Sequence, residues 1–195
     1  MSTFAVHPDG ELIIRLRQGD LDALAELYEK YKRTIFRTVW AITRDQGAAE
    51  DILQESFLRL LTHAAQMRTD GPVGPWLYRV AVNQSYTWIQ KHRRSGNVLD
   101  AVLEQLTAPL VAPPDRLVER REVQETVQQA IGKLPFDRQV VVVLFYLEGL
   151  GLKEIADVLQ VPEGTVKSRL HYAREALRDL LVERSAAPEM SYEFT

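Results

Sequence analysis

Residues 149–181 read GLGLKEIADVLQVPEGTVKSRLHYAREALRDLL, and their pattern predicts two helices joined by a tight turn. The first helix, about Leu152 to Leu159, carries Ile155, Ala156 and Leu159 on one face. Gln160-Val161-Pro162 supplies the turn, and the second helix starts near Glu163 and runs past Leu180. Along it Val166, Leu170, Ala173, Leu177 and Leu181 recur every three or four residues, which lines them up on one helix face. The opposite side holds Lys167, His171, Arg174 and Arg178, with Ser168 near the helix start. A helix with one apolar stripe and one basic, hydrogen-bonding face suits the major groove of DNA. A surface helix with solvated charges is the alternative. The short first helix, the tight turn and the apolar register favour DNA binding.

Composition bounds the rest. The 195 residues accommodate one large or two small domains, and a hydrophobic content of 46% supports ordinary cores. The net charge of −3 means that any DNA contact comes from local patches, while the acidic remainder leaves room for protein partners. The chain has no cysteine, which excludes disulfides, thiolate metal sites and a cysteine nucleophile. His7, His63, His92 and His171 form no ligand spacing, so neither a metal nor a cofactor is expected. No signal-peptide pattern opens the chain, and no apolar run approaches the roughly 18 residues of a membrane span. A soluble, cytoplasmic protein without membrane insertion is the expectation.

The organisation reads as all-α, with two small helical domains joined by a flexible linker. Residues 1–10 resemble a loose arm, and the first domain covers residues 11–94. Leu12, Ile13, Ile14 and Leu16 suggest a short helix ending at Gly19, and Asp20 can cap the next one. In that long second helix Leu24, Tyr28, Tyr31, Ile35, Val39 and Ile42 form the inward stripe. A third helix from about Ala48 to Ala64 buries Ala49, Ile52, Leu53, Phe57, Leu60 and Leu61. A Gly- and Pro-rich loop ends it, and a fourth helix spans about Trp76 to Arg93 with Leu77, Val80, Ala81 and Trp88 inward. Residues 95–116, with Pro109, Pro113 and Pro114, read as the linker. The second domain covers 117–184, opens with Val123, Val127, Ala130, Ile131 and Leu134 inward, and leaves 185–195 as a tail. Residues 140–146, VVVVLFY, favour a strand by propensity. With no second strand-like run to pair with, they are expected as a buried helix ending at Gly149.

Two more constellations bear on function. On the fourth helix, Trp76, Arg79, Asn83, Tyr86, Gln90 and Arg93 share a stripe opposite the core, within a stretch free of acids from Gly71 to Leu99. Cations neutralise phosphates, and aromatic rings stack on unpaired bases for about 1–3 kcal/mol each. The stripe therefore suits single-stranded or melting DNA. Alternatively, Trp76 and Tyr86 complete a small core. On the third helix, Asp51, Gln54, Glu55 and Leu58 lie together away from the core stripe. An exposed leucine ringed by acids and an amide suits docking to a basic pair of helices, although acids near a helix N-terminus are favoured by the dipole alone.

Together, DILQESFLRLL (51–61), PWLYRVAVNQ (75–84) and LPFDRQVVVVLFYLEGLGLKEIADVLQVPEGTVKSRLHYAREAL (134–177) strongly resemble the extracytoplasmic-function sigma factors of the sigma-70 family. The resemblance implies a transcription initiation factor, not an enzyme. Such a factor binds core RNA polymerase, recognises the minus-thirty-five and minus-ten promoter elements and promotes melting. Position by position it places Asp51, Gln54, Glu55 and Leu58 against the β-prime clamp helices. Trp76, Arg79 and Asn83 fall at the minus-ten element, with Tyr86, Gln90 and Arg93 further along the same stripe. The loop from Gln66 to Pro75 corresponds to the one that receives a flipped base. Thr165, Lys167, Ser168, Arg169, His171 and Arg174 fall at the minus-thirty-five element, with Arg169 pointing off the basic face. The β flap and an anti-sigma factor are further implied partners. A stand-alone activator with a similar C-terminal motif would need an α/β receiver or ligand domain, which the helical first half argues against. Two positions depart from the family: Gln160 stands where the turn usually has Gly or Asn, and Gly151 where the first helix usually has a Ser or Thr cap.

Overall fold

Pro8 opens the first helix because its missing N–H costs nothing there, and the His7 Nδ1 caps it by accepting from the Asp9 N–H at 3.1 Å. This helix, α1 (Pro8–Arg17), belongs to a computed structural model that describes residues 7–94 and 125–185, with side chains to 92 and to 182. The expected linker at 95–116, the start of the second domain with Val123, and the tail beyond Ser185 lie outside the described residues. Residues 8–10 are helical rather than part of a loose arm, and Asp9 and Gly10 are buried. An aspartate near a chain start reads as solvated. Its burial depends on Lys30, which lies 21 residues away.

Asp20 caps α2 (Leu21–Thr43), accepting from the Asp22 N–H at 3.0 Å. The helix ends at Arg44, whose φ of 60° is left-handed. Asp45 caps α3 (Gln46–His63) through the Ala48 N–H at 2.6 Å. A 3₁₀ turn (Ala64–Gln66) and a loop lead to α4 (Gly74–Arg94). α2 packs against α1, α3 and α4, and Leu27, Ile35, Leu60 and Leu77 are fully buried between them. The expected stripes hold with small shifts. Leu61 is exposed because Leu60 fills the inward direction, and Tyr78 and Val82 join Leu77 and Ala81 inside while Val80 and Trp88 are half-buried.

The second half begins with α5 (125–132), followed by α6 (Phe136–Val142), which has Pro135 at its N-cap. Ala130, Ile131 and Leu134 point inward as expected, whereas Val127 is exposed. The VVVVLFY run is helical: α6 continues as a π turn (Val143–Leu147), and Gly149 takes a positive φ after it. Val140 to Leu144 are buried. Each gains about 1.5–3 kcal/mol from burial, against at most about 0.7 kcal/mol lost to poor helix propensity. α7 (Leu152–Leu159) and α8 (Glu163–Ser185) form the predicted helix-turn-helix, with Ile155, Ala156, Val166, Leu170 and Ala173 buried. Among the described residues there is no strand. One continuous cluster of buried side chains runs through both halves, with α4 against α7 and α2 against α6 and its π turn. The two expected domains are thus packed together.

Candidate nucleic-acid interface

The loop before α4 turns into helix at Val73, whose carbonyl accepts from the Trp76 and Leu77 N–H groups at 3.1 Å each. Gly74 packs closely here, since a Cβ would stand 3.0 Å from Cε1 of Tyr31 and that ring would have to give way. Beneath the turn lies the Asp9 carboxylate. It accepts from Lys30 Nζ and the Tyr31 hydroxyl at 2.5 Å each and from the Val73 N–H at 2.9 Å. Burial pushes the Asp9 carboxyl up, but these bonds together outweigh burial and hold it below its ordinary value. Burial and the same carboxylate push the Tyr31 phenol up.

A cavity of about 470 Å³ opens beside this turn, walled by His63, Met67, Arg68, Asp70, Trp76 and Arg79 among others. Its size falls within the roughly 300–1,000 Å³ of small-molecule clefts. Trp76 is half-buried, packing on the core while lining the cavity, with the His63 ring 6.0 Å away. Trp76 thus completes the core, as the second alternative has it, and also faces the cavity. Arg68 pairs with Asp70 at the rim, Nε to Oδ1 at 2.9 Å.

The remaining stripe is spread along α4. Arg79 is committed to the other half of the chain. It donates from Nη2 to the Asp157 carbonyl at 2.8 Å and from Nε to the Val158 carbonyl at 3.3 Å. Those carbonyls belong to the last turn of α7, where the helix dipole favours a cation. Asn83 is exposed, and the exposed Tyr86 ring stands 5.0 Å from Phe136. Gln90 is half-buried, and the Arg93 side chain lies outside the described residues.

A second tie between the halves was not legible in the sequence. Glu148, after the π turn, has only 1% of its side chain exposed. It accepts from Arg37 Nη2 at 2.7 Å, Thr38 Oγ1 at 2.9 Å and the Tyr78 hydroxyl at 3.3 Å. Burial, reinforced by this carboxylate, pushes the Tyr78 phenol up to about 12. The buried Gln139 amide donates to the Ile42 carbonyl at 3.1 Å.

On α8, Lys167, Ser168, His171 and Arg174 are exposed and Thr165 is half-buried at the helix start. Arg174 is held in place: its Nε donates to the Tyr146 hydroxyl at 2.7 Å, and its guanidinium lies 5.7 Å from the Phe145 and Tyr146 rings. His171 faces Glu175 at 3.6 Å. Arg169 turns inward and pairs with Asp137 on α6 at 3.2 Å, so its described contact supports the motif. On α3, Asp51, Gln54 and Leu58 are exposed, with Leu58 at 57%. Glu55 is half-buried and pairs with Arg59 at 2.7 Å.

Comparisons with known proteins agree with this architecture. The Sigma-70 region 2 family matches residues 27–95, and Sigma-70, region 4, matches residues 124–177. The chain is 36% identical over 178 residues to the ECF RNA polymerase sigma factor SigW of Bacillus subtilis, covering 87% of this chain and 94% of SigW. It is 32% identical to the RNA polymerase sigma-H factor of Pseudomonas aeruginosa, covering 87% and 91%. Among solved structures it superposes on CnrH, determined in complex with the cytosolic domain of CnrY, with a TM-score of 0.68 at 20% identity over 90% of this chain and 97% of that one. It also superposes on the sigma factor RpoE from Bartonella quintana, determined with the anti-sigma factor NepR, with a TM-score of 0.61 at 19% identity over 81% and 96%. At those identities the structures speak to the fold. No helix among the described residues is long and apolar enough to cross a membrane. The chain belongs to the extracytoplasmic-function RNA polymerase sigma factors of the sigma-70 family, which bind polymerase and direct it to promoters without catalysing a reaction of their own.

Proposed function

We propose that promoter opening by this sigma factor divides between three surfaces. The exposed face of α8, with Thr165, Lys167, Ser168, His171 and Arg174, reads the minus-thirty-five duplex through the major groove. The cavity beside α4, with Trp76 and Arg79, takes up an unpaired base of the minus-ten element, and Asn83 and Tyr86 follow the strand further along the helix. Asp51, Gln54, Glu55 and Leu58 dock on the clamp helices of polymerase, and the second domain meets the β flap. The work is done in the cytoplasm. Two linked weak sites bind far better together than apart, so promoter affinity without core polymerase is low.

One observation favours a second step. Arg79 is bonded to the end of α7, and Tyr86 lies against Phe136. Both must be released before α4 meets DNA. The packed arrangement is therefore a resting form, which polymerase opens and an anti-sigma factor would hold closed. The observation that best supports the assignment as a whole is the cavity at the start of α4, lined by Trp76 and Arg79.

Run-off transcription with core polymerase on duplex and pre-melted templates tests it. The Trp76→Ala, Asn83→Ala double variant is expected to lose activity on the duplex and keep most of it on the bubble. Equal loss on both would assign these residues to folding or core binding instead.

A further inference from the structure

α1 and its N-cap His7 touch the 3₁₀ turn and the loop beside the cavity through four residues. The His7 N–H donates to the Thr69 carbonyl at 3.1 Å. Gly10 passes so close that an added Cβ would lie 1.9 Å from the same carbonyl oxygen. Asp9 accepts from the Val73 N–H at 2.9 Å. Arg17 donates from Nε to the Ala64 carbonyl at 2.8 Å and from Nη2 to the Met67 carbonyl. Between Gln66 and Gly74 the chain has no helix or strand of its own. Its carbonyls and N–H groups are instead satisfied in part by α1, a helix that lies before the matched region 2 segment at residue 27.

We propose that Asp9 and Arg17 are positioning residues for base capture: α1 braces residues 64–73 so that the cavity beside Trp76 keeps the shape of one flipped base. This rests on the base-capture role given to the cavity above. Asp9 suits the task because an ionised carboxylate can accept from Lys30, Tyr31 and the Val73 N–H together, fixing α2 and the loop to one point. An asparagine of the same shape would turn its NH₂ group towards one of these donors. Arg17 acts from the other end, with one carbonyl of the 3₁₀ turn and the Met67 carbonyl that follows it gathered on one guanidinium. Its side chain is exposed, so it can be removed without opening the core.

The test uses holoenzyme assembled from the full chain and core polymerase. Dissociation constants are measured by fluorescence anisotropy for single-stranded minus-ten oligonucleotides carrying one abasic site, scanned position by position. The wild type is expected to show one position where removing the base weakens binding roughly tenfold or more, as the loss of a stacked base would. Asp9→Asn and Arg17→Ala are each expected to bring that penalty down towards onefold, with core affinity and the effect of the other positions unchanged. Where Asp9→Asn fails to fold, Arg17→Ala carries the test. A penalty that persists in the variants, or a uniform loss at all positions, overturns the brace. A wild type with no such position overturns base capture itself, and the brace with it.

Discussion

Gln160 closes α7 at φ 55° and ψ 45°, a left-handed conformation that is uncommon for a residue with a Cβ. The strain is about 1 kcal/mol, and the side chain offsets part of it by donating from Nε2 to the Asp157 carbonyl at 2.7 Å. Glycine would remove the strain but lose that bond and add about 0.4–1 kcal/mol of unfolded-chain entropy. Gln160→Gly is therefore expected to leave stability nearly unchanged. Gln160→Val, β-branched at the same φ, is expected to cost about 1 kcal/mol or more. Urea midpoints of the variants check both, and a large gain from glycine would mean that the turn is more strained than its geometry indicates. Gly151, the other departure from the family, caps α7 adequately because Glu154 accepts from its N–H at 2.7 Å.

At the scale of the element, α8 separates cations that face outward from one that faces in. Lys167 and Arg174 are exposed, and Arg174 is pre-oriented by Tyr146. Arg169 is spent on Asp137. Removing Lys167 and Arg174 together is expected to weaken holoenzyme on promoters that retain the upstream element and to lower the salt dependence of binding by about two contacts' worth. Arg169→Ala is expected to leave that slope unchanged and cost less than about 1 kcal/mol of stability, as a partly exposed ion pair would. Filter binding across a salt series distinguishes them; a slope that falls with Arg169→Ala would return this residue to the DNA face. The exposed face was legible because a period of three to four residues assigns sides of a helix. That Arg169 points off this face was legible in the same way; its partner was not, because Asp137 sits on α6, 32 positions earlier.

At the scale of the whole molecule, Glu148 ties the halves together by accepting from Arg37, Thr38 and Tyr78. Glu148→Ala would remove an acceptor shared by three donors, of which Arg37 and Thr38 keep the Leu147 and Thr34 carbonyls, and is expected to destabilise the packed arrangement by about 1–3 kcal/mol. Because the chain has no cysteine, dye pairs can be placed uniquely at the exposed Asp22 and Glu175. Energy transfer between them is expected to fall in Glu148→Ala towards the value seen with core polymerase bound. Unchanged transfer would show that Arg79, Gln139 and the shared apolar core suffice without Glu148. Region 2 and region 4 are expected to keep their own helices when parted, so the loss should appear in the distance before it appears in helicity.

The sequence by itself determined the helices, the cap at Asp20, the inward stripes, and the exposed faces of α3 and α8. All of these follow from local periodicity and backbone chemistry. Helix for VVVVLFY followed from the lack of any strand to pair with. Only the tertiary structure decided that Asp9 lies beneath the loop before α4, that Trp76 is both core and cavity wall, and that Arg79 and Glu148 close one half on the other. Each of these depends on groups far apart in the chain meeting out of water. A charge is matched there by donors that no helical period connects to it.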